Sequence, residues 1–350
     1  MLPLMMNNLH NKKLYGHKPS DSKTYIFPIL GLEISDNKYI TLGHVMFVSK
    51  DFLINEILSN KEHQIIQYTN TEMVNTKTFA ILNLEQYGDL EDICKDGNNS
   101  LALQIVKQVI GAIYISIYKN KRYIPEYEKR IIISHNSRHE VDEGFVSYIE
   151  GDLNQKSFIP KKSDIAENLV ISMNQTYLEN INDLSTIFQQ PIKSRNCYQE
   201  KIFKSLELLY GTFSETYTNE RVFKYVMIVN HIFKNKLVSD KMYNDKYIGG
   251  LLKILFDIVA TQKIVDGKIS AVFTDIYSRL RNNPLHGELD PYEEICLINH
   301  NDYIPLKKIT METLILLVEN KELNKLETTE ELINYLKLQQ ENYAKTKKGK

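Results

Sequence analysis

Near residue 160 the hydrophobic pattern of this 350-residue chain changes period, and that switch limits the folds open to it. Before it, apolar residues come in short runs of aromatic and β-branched side chains. Beyond it they recur every three or four positions, the spacing that lines one face of a helix. Ile202, Leu206, Leu209 and Phe213 form one such stripe, and Val222, Val226, Val229 and Phe233 a second, with Asn219 placed as an N-cap. Leu251, Leu255 and Ile258 give a third, Ile269, Phe273, Ile276 and Leu280 a fourth, and residues 306–319 and 330–343 supply the last helices before a lysine-rich end. The expectation is an α+β N-terminal domain over 1–160, then an all-α helical bundle over 195–350. Residues 161–194, polar and flanked by Pro160 and Pro191, read as a linker with a connecting helix.

Within the first part, 25–35 and 39–48 read as two strands flanking an Asp36-Asn37 hairpin turn. Residues 63–68, 78–84, 130–134 and 145–149 read as further strands. The span 101–118 reads as a helix, with Ile105, Val109, Ala112, Ile113 and Ile117 near helical spacing. It is the most apolar long window, but Gln104, Lys107 and Gln108 interrupt it, so a buried helix fits better than a membrane span. The apolar opening Met1–Met6 lacks the basic flank and the length of a signal peptide. Cys94, Cys197 and Cys296 are odd in number and form no CxxC pair. A reducing, cytoplasmic setting without membrane contact is expected. With 43 basic and 44 acidic side chains the net charge is −1, so any nucleic-acid contact must be local.

Several familiar sites are missing from the sequence: there is no GxGxxG after a strand, no HExxH and no GxSxG, and Gly267-Lys268 lacks the rest of a phosphate loop. His135, His139, Asp142 and Glu143 have the donor types of a metal site, but the glycine and mixed polarity around them favour a solvated loop. No metal or cofactor is expected. Residues 276–287, IYSRLRNNPLHG, stand apart. Arg279 has Asp275 four residues back as a helix-face partner, whereas Arg281 has Tyr277 there instead of an acid. On a straight helix, residues five apart diverge by about 140°. Pro284 disfavours helix at Asn283, so the turn can swing His286 back toward Arg281. Arginine, amide and histidine at a broken helix end would make a compact cationic acid/base site. The plainer reading is a surface arginine and histidine where cations suit the helix dipole.

This string, with Asn282 directly after the arginine, Ile276-Tyr277 before it, Gly287 after it and an all-α setting, resembles the HEPN family of ribonucleases. It is most similar to the ApeA-like branch, found in bacterial anti-phage proteins. The resemblance spans about residues 195–345 and takes in Glu220-Arg221 at the opening of an apolar helix. Many relatives carry an acidic residue deeper in that helix; here Asn230-His231 occupies the region. What the resemblance implies is a metal-independent endoribonuclease. His286 would move a proton, Arg281 would hold phosphate oxygens, and Asn282 would bond the phosphate or fix the imidazole ring. Tyr277 and Arg279 would contact substrate, with a buried core tyrosine as the competing role for Tyr277. The implied partners are RNA, tRNA and mRNA among the candidate classes, and a second copy of the chain through the C-terminal bundle. A phage-derived trigger would act on the N-terminal half as sensor or as substrate-positioning domain. The alternative is a non-catalytic HEPN-like module that holds RNA or a protein partner.

Overall fold

The computed structural model describes residues 24–35, 39–57, 77–83, 98–121, 131–133, 147–149, 171–214, 218–234, 245–261, 268–282 and 300–348. They belong to two units, Met1–Ser194 and Arg195–Lys350. The first is α+β, and the second is mostly helical, with no strand among its described residues. The strand expected over 63–68 and the group around His135 lie outside the described residues.

In the first unit the segment expected as one strand is cut in two at Gly31, whose φ of 75° turns the chain out of its first sheet. β1 (Thr24–Leu30) stays in an antiparallel sheet with β3 (Tyr39–Leu42), β4 (Val45–Ser49), β5 (Thr78–Asn83), β6 (Ile132–Ile133) and β7 (Ser147–Ile149). One side of β1 pairs with β5; the other pairs with β7 at Thr24–Ile26 and with β6 at Ile29 and Leu30. Pro28, which has no N–H for a ladder, falls in the gap between those two pairings. β2 (Leu32–Ile34) leaves this sheet and pairs in parallel with β8 (Ile171–Met173).

The turn expected at Asp36-Asn37 lies outside the described residues, and the strands on either side of it, β2 and β3, belong to different sheets. β3 turns back into β4 across Gly43-His44, with Leu42 opposite Val45 and Tyr39 opposite Val48. A two-residue loop needs positive φ at a central position, and Gly43 supplies it at 61°. The expected linker also contributes structure. Beyond β8 lie α2 (Gln175–Glu179) and α3 (Asn182–Phe188). The Gln175 side chain accepts from Thr41 N at 2.9 Å, and His44 Nε2 lies 3.0 Å from Gln189 O. The long helix α1 (Asn98–Lys121) donates from Ser116 and Lys119 to the backbone carbonyls of Tyr177 and Asn180. Its stretch Leu101–Asn120 is long and apolar enough to cross a membrane, but 78% of that window is buried inside the protein. It serves here as the core helix on which Tyr114 Oη accepts from Ile131 N at 2.7 Å.

The second unit holds α4 (Cys197–Ser214), α5 (Thr218–Phe233), α6 (Asp245–Ile254, run on by a π-turn to Val259), α7 (Ile269–Asn282), α8 (His300–Glu319) and α9 (Thr329–Lys348). The stripes read from the sequence are the buried faces. Leu206, Leu209, Val222, Val229, Phe233, Leu255 and Phe273 are fully covered, while Ile258 is half-buried. α4 starts in a capping box: Gln199 N donates to Asn196 Oδ1 at 2.8 Å and Asn196 N donates to Gln199 Oε1 at 3.1 Å. The Asn219 cap is not realised, because α5 already begins at Thr218. α5 packs between α4 and α8 around Tyr225, whose ring meets Phe213 and Tyr303 edge-on at 6.5 and 5.8 Å.

Candidate active site

Of the residues singled out by the sequence, Tyr277, Arg279, Arg281 and Asn282 lie on α7. Its backbone starts on the Lys268 carbonyl, which accepts from Ala271 N and Val272 N. Ile269, Phe273, Ile276 and Tyr277 then give a face that is at most 5% exposed. α7 packs chiefly on α6, and Gly249 sets how close the two helices come. A Cβ at Gly249 would stand 2.8 Å from Thr274 Oγ1 and 3.0 Å from the Ser270 carbonyl oxygen. A Cβ at the neighbouring Gly250 would meet nothing within 4 Å. The close approach therefore uses one glycine of the pair.

Tyr277 was expected at the substrate. Its ring instead lies 5.7 Å from the Phe273 ring, and its hydroxyl accepts from Asn230 Nδ2 at 3.2 Å. A ring only 5% exposed fits the core role that the sequence also offered, and it could stack on a base only by leaving its packing. Arg279 makes the partnership its spacing foretold. Its Nη2 lies 2.7 Å from Asp275 Oδ2 and its Nε donates to the same oxygen at 3.2 Å. The pair sits on the outer surface, with the Asp275 side chain 66% exposed, so its stabilisation is small. Arg281 and Asn282 are the last two helical positions of α7. Their side chains, and residues 283–287 with His286, lie outside the described residues. The approach of His286 to Arg281 is an expectation from the sequence.

Asn230 and His231 entered the sequence reading only as a departure from the acidic pattern. Asn230 proves to be the contact between the last turns of α5 and α7. The His231 ring is pushed toward its neutral form, first by burial and then by the ammonium groups of Lys201, Lys204 and Lys234. A pattern search for acid residues passes over both, because neither is a carboxylate.

Among the described residues no cluster of histidine, cysteine and carboxylate side chains could hold a metal ion. No family model, curated protein or solved structure matches this chain.

Proposed function

We propose that the second unit is a metal-independent endoribonuclease of the HEPN type, with Arg281, Asn282 and His286 as its catalytic residues. The observation that supports it most is the placement of the motif. Arg281 and Asn282 are the last described positions of a helix that is buried and anchored at Ile276 and Tyr277, in a unit that is mostly helical among its described residues. RNA carries its own nucleophile in the 2′-hydroxyl. The enzyme then needs a group that transfers a proton near neutral pH and a fixed positive charge on the phosphorane. His286 suits the first, worth about 10²–10⁴-fold, and Arg281 the second. Asn282 orients the phosphate or the imidazole ring. Tyr277 and Arg279 support the helix through Asn230 and Asp275.

In this reading the active species is a homodimer in which two such motifs face each other. It acts in the cytoplasm as an anti-phage effector, and the α+β unit senses a phage-derived trigger or positions RNA. The test is cleavage of RNA by the purified chain beside Arg281→Ala and His286→Ala. Both variants should retain their thermal unfolding midpoint and lose cleavage by at least a hundredfold, in line with the loss of a proton-transfer group. A folded His286→Ala protein that cleaves at the parent rate would defeat the assignment. RNA bound but never cut by the parent chain would favour the non-catalytic module.

A further inference from the structure

Four nitrogen-bearing side chains meet where the first half of α4 passes the last turn of α5. Lys201 and Lys204 come from α4, His231 is on α5, and Lys234 directly follows it. The three ammonium groups all act on the His231 imidazole. Helix-end chemistry explains one of them, since Lys201 donates to the Lys234 carbonyl and so caps α5. Acidic neighbours offset only part of the charge. Glu207 holds Lys204 at 2.9 Å, and Glu330 lies within electrostatic reach of Lys201. Lys234 is exposed and makes no ion pair among the described residues, and His231 Nε2 is buried without a hydrogen-bond partner. Three like charges gathered around an imidazole repel one another and work against folding. In a chain with net charge −1 such a concentration is not a by-product of a basic composition. An anion on this surface would remove the repulsion.

We propose that this α4–α5 surface binds the phosphate backbone of the RNA strand that the active site cuts, an inference that rests on the ribonuclease reading. Three features fit a nucleic-acid strand. Lysines on two helices present point charges that hold phosphates without reading sequence. The Lys204 side chain is 45% exposed and Lys234 is exposed, so an extended polymer can reach them. One of the two patch helices, α5, is itself joined to the motif helix, since Asn230 hydrogen-bonds Tyr277 four residues before Arg281.

The test measures binding of a single-stranded oligoribonucleotide to the full-length His286→Ala chain between 50 and 200 mM salt. Lys204→Gln/Lys234→Gln is compared with Lys321→Gln/Lys325→Gln, which removes the same charge from exposed positions elsewhere in the unit. Each phosphate contact on a single strand contributes about 0.7 to the slope of log affinity against log salt. Loss of two should lower the slope by about 1.4, so the fourfold salt rise should weaken the patch variant by roughly sevenfold less than its parent. The control pair should keep the parent slope. Equal slopes for all three proteins, or equal losses in both double variants, would overturn the patch. If the His286-intact chain still cleaves in that case, the ribonuclease reading survives without it. A chain that neither binds nor cleaves RNA would end both.

Discussion

The two adjacent glycines of α6 allow the placement of the motif helix to be tested with helix propensity cancelled. Gly249 and Gly250 are both helical, and replacing either by alanine should gain about 1 kcal/mol from propensity alone. At Gly250 the new methyl enters open space, so that gain should appear in full. At Gly249 it would stand 2.8 Å from Thr274 Oγ1 and 3.0 Å from the Ser270 carbonyl. The threonine side chain can rotate, but the carbonyl belongs to the backbone of α7, so the helix itself must move. Overpacking of this kind costs about 1–3 kcal/mol. The two variants should therefore differ by about that amount, with Gly250→Ala stabilised and Gly249→Ala near parity or destabilised by up to about 2 kcal/mol. Urea unfolding with a shared m-value measures the difference. A shift of a few tenths of an ångström at α7 should also lower RNA cleavage severalfold, since displacement by about 1 Å can cost 10²-fold. Equal stabilisation of both variants would refute the close approach. Parity restored by adding Thr274→Ala would place the conflict on the side chain and leave the backbone of α7 unmoved.

Other consequences are open to measurement. Gly43→Ala combines a positive φ with a Cβ 2.4 Å from Phe188 Cβ, so it should destabilise the first unit by about 2–5 kcal/mol, read as a lower urea midpoint. Tyr277→Phe removes the bond to Asn230 and should cost about 1 kcal/mol while leaving RNA affinity unchanged; weakened binding would restore a substrate role for the ring. Cleavage should persist in a chelator and leave 2′,3′-cyclic phosphate or 3′-phosphate ends, whereas loss in EDTA reversed by a divalent cation would direct attention to His135 and His139. A fragment from residue 195 onward, the start of the second unit, should be more toxic per molecule than the whole chain, with His286→Ala cancelling the difference. A dimeric fragment less active than the whole would instead assign RNA positioning to the first unit.

The helices were legible because burial on one face forces a 3.6-residue period, and Phe273, Ile276 and Tyr277 obey it. The ion pair of Arg279 with Asp275 was legible for the same reason, being local on one helix. Pairings between distant segments were not. Asp36-Asn37 and Gly43-His44 are both plausible turns on composition, and the choice depends on where β3 finds a partner. β8 is three residues in a polar stretch, and only its pairing with β2 makes it a strand. Gly249 and Gly250 look alike in the sequence; the helix lying on one of them separates their roles. Tyr277 is one of 22 tyrosines, and its hydroxyl partner comes from 47 residues away.

Taken together, the contacts of α7 divide it into a held part and an end. Its first turns are set against α6 by the close approach at Gly249, its buried face by Phe273 and Tyr277, and its link to α5 by Asn230. On the outer side Arg279 is paired with Asp275. All of these contacts fall at or before residue 279. Two residues later stands Arg281, and Pro284 opposes continuation of the helix through Asn283. A phosphoryl-transfer site needs its charge held in place before substrate arrives, because reorganising it during the reaction would forfeit the electrostatic gain. In the proposed ribonuclease, a helix clamped on several sides up to the preceding turn would meet that need for the backbone of Arg281. The amide at position 230 adds to the argument. A carboxylate there would bring a negative charge to the helix that carries Arg281, whereas Asn230 makes the contact to Tyr277 without one.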